Sequence, residues 1–192
     1  MRGIGIGIGM ARPTTDPLIA VPSPLAVIRE SVTNFADWFL VNLTVNDDVA
    51  ANYEGTGSAD QTRSDATVTS HALARSGSAL VSGVQYYADL VLKQDGRDYL
   101  LFQISGAGQD AKAVIDLTDN TTTESAGVDS VTVQDLSDGW KFVRLVFTAT
   151  ASVAHSCNLF HLNGPSEAAN TIYLGDITKG LLLDRYVLSR SP

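Results

Sequence analysis

Carboxylates are the most abundant side chains of this chain that are able to do acid–base chemistry. The 192 residues include 21 Asp and Glu, of which only four are Glu. Cleavage of a glycan needs two carboxylates that face each other across a cleft, and no such pair is recognisable. Asp116 and Asp119 follow the pattern of a solvent-facing strand end and its turn. No serine lies in a G-x-S-x-G segment, and the histidines lack a suitably spaced nucleophile and acid. The sequence therefore predicts no catalytic residues and a protein that is not an enzyme.

Three potential metal ligands alternate along one predicted strand, residues 154–162. His155, Cys157 and His161 share one face of such a strand because side chains alternate between its two faces. Leu159 lies on the same face, and no fourth ligand is close in sequence. A free cysteine also behaves as a small apolar residue when it is buried. The pattern therefore favours a core position for this group over a metal site.

Two acidic segments offer the hard oxygen ligands that calcium prefers. They are Asn46-Asp47-Asp48 and the group Asp116, Asp119 and Asn120. Neither segment has the spacing of a known calcium loop. The sequence therefore predicts no metal and no cofactor.

Aromatic and planar polar side chains are the groups with which a β-sandwich would bind a glycan. On the predicted strand 84–93, Tyr87 lies on the polar side, opposite Tyr86, and is the clearest outward-facing aromatic. Gln85 and Asp89 lie on the same face of that predicted strand as Tyr87, and Arg97 follows the turn at Asp95-Gly96. These four residues, Gln85, Tyr87, Asp89 and Arg97, are the candidate glycan-binding residues.

The two tryptophans fit a core better than a sugar-stacking platform, because large aromatic side chains dominate cores. Trp140 opens a predicted strand directly after Asp138-Gly139. We expect it to be buried between the two sheets, and Trp38 has the same two interpretations.

Composition predicts a soluble, acidic, globular protein. Hydrophobic residues make up 44% of the chain and charged residues 18%, which is enough apolar content for a single sizeable core. The net charge of −8 disfavours nucleic acid as a partner. A single cysteine excludes an intramolecular disulfide, and no apolar run approaches the length of a membrane span.

The first 24 residues differ in composition from the rest. Gly alternates with apolar residues at the start, so that Ile4, Ile6, Ile8 and Met10 share one face of an extended strand. Pro13, Pro17, Pro22 and Pro24 follow and predict a stiff, extended spacer. We expect residues 1–24 to be an assembly arm that binds other chains, and a disordered leader is the alternative.

Residues 25–192 read as one domain built from many short strands. Clear candidates are 38–45, 84–93 and 98–104, with a hairpin turn expected at Asp95-Gly96. Further candidate strands are 112–118, 128–134, 140–150, 154–162, 171–177 and 181–188. Strands of this length, with turn residues between them and no helical stripe, predict an all-β antiparallel sandwich, most simply a jelly roll.

Several segments resemble those of jelly-roll modules in phage tail and head-fibre proteins, which are themselves similar to carbohydrate-binding modules and concanavalin-A-like lectins. The segments run in order along residues 30–190. They are Asn34-Phe35-Ala36-Asp37-Trp38, the stretch 84–99, Val114-Ile115-Asp116-Leu117, Asp138-Gly139-Trp140 and the closing strands 172–186. The glycine–isoleucine start also looks like the N-termini of phage virion proteins.

The resemblance implies a non-enzymatic structural protein of a phage virion, in a tail fibre, a head fibre or a capsid decoration. It would attach to other virion proteins through its arm, as a homo-oligomer, with a trimer favoured. Host-surface glycans would be ligands of the jelly roll. The alternative is a stand-alone carbohydrate-binding module that is secreted or held at a cell surface.

Overall fold

The computed structural model describes residues 27–170 and 172–191, and nearly all of its regular structure is β-strand. The strands are β1 (Val27–Val32), β2 (Phe39–Val41), β3 (Leu43–Ala51), β4 (Ser58–Ser64), β5 (Val68–Thr69), β6 (His71–Ala79), β7 (Gln85–Asp95), β8 (Tyr99–Gly106), β9 (Gln109–Asp116), β10 (Thr121–Ala126), β11 (Ser130–Asp135), β12 (Trp140–Thr148), β13 (Ala154–Leu162), β14 (Tyr173–Leu174) and β15 (Gly180–Arg190). A 3₁₀ turn spans Ser137–Gly139, and one short helix, α1, spans Glu167–Asn170. No helix in the described part of the chain is long and apolar enough to cross a membrane.

The strands form two antiparallel sheets packed face to face. Sheet I has the order β11-β12-β7-β15-β4-β3, with β1 pairing along the second half of β15. Sheet II has the order β10-β9-β8-β13-β6-β2, and β5 pairs with β14 in a separate small sheet. The predicted all-β antiparallel sandwich of the jelly-roll type is confirmed. The predicted arm lies outside the described residues, and the domain boundary after residue 24 stays a prediction.

Alternation along the strands builds the main core between the sheets. From sheet I, Tyr86, Leu90 and Tyr186 point inward, and Phe102 and Leu159 meet them from sheet II. The ring of Tyr186 lies 6.3 Å from that of Phe102, edge to face. Burial of these alternating apolar side chains fixes the register of both sheets, because a slip by one residue would turn each of them to solvent.

The single strand predicted over 38–45 is two strands in different sheets. Asn42 has a φ of 51° and turns the chain between β2 in sheet II and β3 in sheet I. Asparagine tolerates this left-handed conformation better than most residues. Its side-chain amide also donates to the Ser70 carbonyl at 3.1 Å. The continuous β-branched and aromatic pattern conceals this crossing.

The hairpin expected at Asp95-Gly96 is wrong. Strand β7 belongs to sheet I and β8 to sheet II, so residues 96–98 carry the chain across the sandwich. Gly96 has a φ of 82°, which suits glycine, but the turn joins sheets rather than paired strands. Asp-Gly marks the turn correctly without specifying which strand pairs with which.

Trp140 is buried, at 5% exposure, but not between the two sheets as expected. It lies on the outer face of sheet I, in a second apolar cluster with Val91 and Phe142. Residues 143, 145 and 147 of the same strand point to the main core. Trp140 has the opposite phase, and Tyr53 and Leu182 pack against its cluster from outside.

Candidate functional site

Side chains on the outer face of sheet II form rows that cross the strands. In one row, Gln103 of β8 lies between Lys112 of β9 and Asn158 of β13. Ala74 of β6 and Phe39 of β2 continue that row to the edge of the sheet. Neighbouring strands are about 4.8 Å apart, so the row is a strip of about 20 Å in which aromatic, small and amide side chains follow one another.

A network of side-chain hydrogen bonds positions the two amides of this row. Asn158 Nδ2 donates to Ser105 Oγ at 2.9 Å and to Gln103 Oε1 at 3.3 Å. Gln103 Nε2 donates to Asp110 Oδ1 at 2.7 Å, and Ser156 Oγ donates to Asn158 Oδ1 at 3.0 Å. Both amides are half-buried, so the network holds planar donors and acceptors in place without removing them from solvent.

Phe39 lies at the edge of this strip, on the edge strand β2. Its side chain is 71% exposed, which is unusual for an aromatic residue of this size. Between it and Asn158 lies only the methyl group of Ala74, with Ala72 in the next row. Two strand spacings therefore separate an exposed aromatic ring from a fixed amide, with a floor of alanine.

The neighbouring row is apolar and leads to a small cavity. Leu101, Val114 and Leu162 form a third apolar cluster, and Tyr99 and Phe160 pack against it half-buried. A cavity of about 150 Å³ opens beside it. Its lining consists of Leu101, Lys112, Val114, Glu124, Ser125, Ala126 and Glu167.

Charges at this cavity are paired with one another. Lys112 Nζ lies 2.8 Å from Glu167 Oε2, and that ion pair raises the pKa of Lys112. Glu124 Oε2 accepts the backbone N–H of Glu167 at 2.9 Å, which lowers the pKa of Glu124. Since a backbone hydrogen bond favours its ionised form, Glu124 is suited to accepting hydrogen bonds and not to acting as a general acid, and the Glu167 carboxylate is paired with Lys112.

Three of the four predicted glycan-binding residues lie together on the other outer face, that of sheet I. Gln85, Tyr87 and Asp89 share one face of β7, and the Tyr87 hydroxyl donates to Gln85 Oε1 at 2.9 Å. Arg144 binds Asp89 through two hydrogen bonds of 2.7 and 2.8 Å. Its guanidinium also lies 5.9 Å from the centre of the Tyr87 ring. Their polar groups are thus largely paired with one another.

Arg97, the fourth predicted residue, is not part of that group. It is 3% exposed and lies in the crossing between β7 and β8. Its guanidinium stacks on the Tyr173 ring at 5.0 Å and donates to Ser64 Oγ at 3.4 Å. The expectation was wrong because it extended strand phase through a turn that changes sheets.

The His155, Cys157 and His161 row of β13 is buried, as the sequence favoured. His161 Nε2 lies 2.9 Å from Thr62 Oγ1, which also lies 3.2 Å from the Leu181 carbonyl oxygen. The tautomer of His161 decides whether Nε2 or the Thr62 hydroxyl donates in this contact. Complete burial lowers the pKa of His161 to about 3 and keeps the ring neutral.

Of the two acidic segments, one gains a third carboxylate in the structure. The carboxylates of Asp47, Asp48 and Asp60 lie within 4.8 Å of one another. Asp60 is buried and accepts the backbone N–H groups of Phe35 at 2.6 Å and Asp48 at 3.2 Å. Repulsion within the group and a hydrogen bond to Asp60 raise the pKa of Asp47. These two backbone N–H donors satisfy the buried Asp60 carboxylate without a metal ion.

The second segment does not converge on one point. Asp116 Oδ1 accepts the backbone N–H groups of Thr118 at 2.8 Å and Asp119 at 3.3 Å, as in a polar turn. The Asn120 side chain instead binds Asp135 and Lys141.

No family model matches the chain, and no curated protein sequence is similar to it. Several solved structures are similar. One is the xylanase 10B of Clostridium thermocellum with its CBM22-1 and GH10 modules and bound xylohexaose, at 14% identity and a TM-score of 0.49. That match covers 88% of this chain and 29% of the xylanase chain.

Two further structures have comparable similarity. A carbohydrate-binding module from Cellvibrio mixtus lichenase 5A, in complex with cellotriose, has 9% identity and a TM-score of 0.46, over 86% of this chain and 100% of that one. The enzymatically active domain of bacteriophage CBA120 tailspike protein 4 has 12% identity and a TM-score of 0.47, over 83% of this chain and 20% of that one. This chain thus spans less than a third of the xylanase and tailspike chains.

Proposed function

We propose that this protein is a non-enzymatic glycan-binding module whose binding surface is the outer face of sheet II. The observation that carries the proposal is the row in which exposed Phe39, the alanine floor and the amides of Asn158 and Gln103 lie side by side. A sugar ring offers an apolar face for stacking on an aromatic ring and hydroxyls for planar amides. This row offers both, two or three strand spacings apart.

Preorganisation supports the same conclusion. The amides of Gln103 and Asn158 are already held by Asp110, Ser105 and Ser156, so binding would cost little side-chain entropy. The row crosses the strands and is open at the Phe39 edge, which suits an extended chain of sugars over a single small molecule. Lys112 and the two glutamates at the cavity would then bind hydroxyls at the far end.

The outer face of sheet I is the second candidate, because Gln85, Tyr87 and Asp89 lie together there. Sheet II is favoured by its aromatic side chain, because Phe39 is 71% exposed whereas Tyr87 is half-buried and its hydroxyl is bonded to Gln85.

An array of immobilised oligosaccharides, followed by titration calorimetry on any hit, tests the proposal. We expect Asn158→Ala to weaken binding about five- to tenfold, since each lost hydrogen bond to a sugar hydroxyl is worth about 1–1.5 kcal/mol. Phe39→Ala should weaken it as much by removing the stacking ring, with no change in melting temperature. Tyr87→Ala is the matched control on sheet I. Loss of binding in Tyr87→Ala alone would move the site to sheet I, and no hit on any array would contradict glycan binding.

We further propose, from the sequence resemblance, that the module belongs to a phage virion. Residues 1–24, with Ile4, Ile6, Ile8 and Met10 as the apolar edge, would attach it to other virion proteins as a homo-oligomer, with a trimer favoured. A free-standing carbohydrate-binding module, secreted or at a cell surface, is the alternative. Labelling of particles with an antibody against residues 30–190 separates the two. Absence of the protein from particles would support the alternative.

A further inference from the structure

A patch of exposed apolar side chains lies at one end of the sandwich. We call Val68, Ile172, Leu174 and Ile177 the end patch, and these side chains are 70%, 69%, 65% and 62% exposed. Val68 and Leu174 are direct partners in the small β5–β14 sheet. Ile172 directly precedes strand β14, and Ile177 follows it by three residues. Apolar side chains grouped this way are typical of a binding surface, whereas scattered ones need no explanation.

The end patch sits on a firmly anchored support. Tyr173, between Ile172 and Leu174, points inward and is buried, and its ring lies 4.8 Å from that of His71. The Gly175 N–H donates to the Thr67 carbonyl at 3.0 Å, and Arg63 Nη1 donates to the Ile177 carbonyl at 3.1 Å. The exposed side chains are therefore presented by a fixed backbone.

The size of the end patch favours a peptide over a second folded surface. Four side chains exposed by about two thirds offer on the order of 400 Å² of apolar surface. A stable interface between two folded proteins needs about 800 Å² from each partner. An extended segment that inserts alternate side chains needs much less area.

The chain itself contains a segment of matching pattern. Ile4, Ile6, Ile8 and Met10 recur every second residue, as do Ile172 and Leu174 in the patch. We propose that the end patch binds this apolar segment of a second copy of the chain, so that copies associate head to tail.

The position of the first described strand favours a second copy over the same one. Val27 pairs with Arg190, whereas the end patch lies beyond Gly180 at the other end of β15, about 33 Å away for an 11-residue strand. Strand β1 runs towards the end patch, so Val27 is its end farther from the patch, and an arm would have to reverse direction to reach the patch of its own copy. Residues 11–26, with four prolines, span about 50 Å when extended, which is enough to reach a neighbouring copy.

Substitutions in the full chain test the proposal by sedimentation velocity. A patch variant, Ile172→Ser with Leu174→Ser, and an arm variant, Ile4→Ser with Ile6→Ser and Ile8→Ser, should each be monomeric under conditions where the unchanged chain is oligomeric. Mixed in equal amounts, the two variants should form dimers, because one supplies an intact arm and the other an intact patch. Val81→Ser, an exposed apolar residue outside the patch, is the control and should remain oligomeric.

A peptide of residues 2–12 provides a second readout. It should bind the arm variant and bind the patch variant at least tenfold more weakly, whereas a peptide of the same composition in scrambled order should bind neither. A monomeric unchanged chain would overturn the proposal, even if the peptide binds, because the arm would then occupy its own patch. An oligomeric patch variant would overturn it as well. Glycan binding at sheet II is independent of either result.

Discussion

At the residue scale, His161 makes the stability of the protein sensitive to acid. Its folded-state pKa of about 3 lies far below the ordinary value of 6.5, mainly because of burial, with Arg97 and His71 adding repulsion. Between these two values the unfolded chain binds a proton that the folded chain does not. Stability therefore falls as the pH drops below 6.5, by about 1.4 kcal/mol per unit.

We expect the free energy of unfolding to lose about 2 kcal/mol through His161 between pH 6.5 and pH 5. Urea unfolding of the unchanged protein and of His161→Gln at each pH isolates this contribution, because all other titrating groups are common to both. Parallel pH profiles for the two proteins would show that the ring is already protonated in the fold.

Substitution of Trp140 distinguishes an effect on the stability of the fold from an effect on glycan binding. Trp140→Ala removes the largest side chain of the outer cluster on sheet I and should cost about 3–5 kcal/mol. Glycan affinity of the folded fraction should stay unchanged, because the proposed binding face is on sheet II. An unchanged melting temperature together with lost sugar binding would instead identify Trp140 as a stacking platform.

Strand phase was a good guide to single residues as long as the chain stayed in one strand. It separated Tyr86 from Tyr87, and it placed His155, Cys157 and His161 on one buried face. Asn158 was not among the predicted binding residues, because the potential metal ligands of that strand all lie on its inward face and Asn158 lies on its outward face. The alternating polar residues Ser156 and Asn158 on the outward face of β13 were the sequence signal that could have identified it.

At the element scale, strands whose inward side chains are polar could not be predicted from the sequence. Strand β4 buries Asp60, Thr62 and Ser64 where apolar residues would be expected, and each finds a hydrogen-bond partner. Such a strand lacks the apolar alternation on which prediction depends. Likewise, Asn42 and Gly96 mark turns in the sequence, but only long-range packing decides that each turn changes sheets.

The support of the end patch depends on the absence of a side chain at Gly175. A Cβ there would lie 1.8 Å from the Asp65 carbonyl oxygen and 2.6 Å from His71 Cε1. Gly175→Ala must therefore displace the β5–β14 sheet, and we expect a loss of about 1–3 kcal/mol in stability.

Thermal unfolding checks this expectation, with Gly57→Ala as the control. The Cβ at position 57 would meet only the end of the Asn52 side chain, at 3.2 Å, and no backbone atom within 4 Å. Equal melting temperatures for the two variants would mean that the small sheet is not anchored as described. Oligomer formation should be weaker in Gly175→Ala than in Gly57→Ala, since the end patch moves with its sheet.

At the scale of the whole molecule, the proposed glycan-binding face and the proposed docking patch lie on different parts of the sandwich. The fold class followed from composition and turn spacing, because many short alternating strands have few ways to bury their apolar faces other than a sandwich. The face proposed to bind glycans did not follow from the sequence. It depends on rows formed across strands that are distant in sequence, such as the row of Phe39, Gln103 and Asn158.

The charged residues at the cavity beside the proposed binding row also lead to an expectation about catalysis. Glu124 and Glu167 are the carboxylates that line the cavity beside the proposed binding row, and a glycosidase that used this cavity would need one of them protonated near neutral pH. The backbone N–H of Glu167 instead lowers the pKa of Glu124, and the Glu167 carboxylate is paired with Lys112. We therefore expect prolonged incubation with capsular polysaccharide or lipopolysaccharide to leave polymer length unchanged, as measured by size-exclusion chromatography and by release of reducing ends. Depolymerisation that Glu124→Gln or Glu167→Gln abolishes, while Asp119→Asn does not, would show that this cavity is an active site.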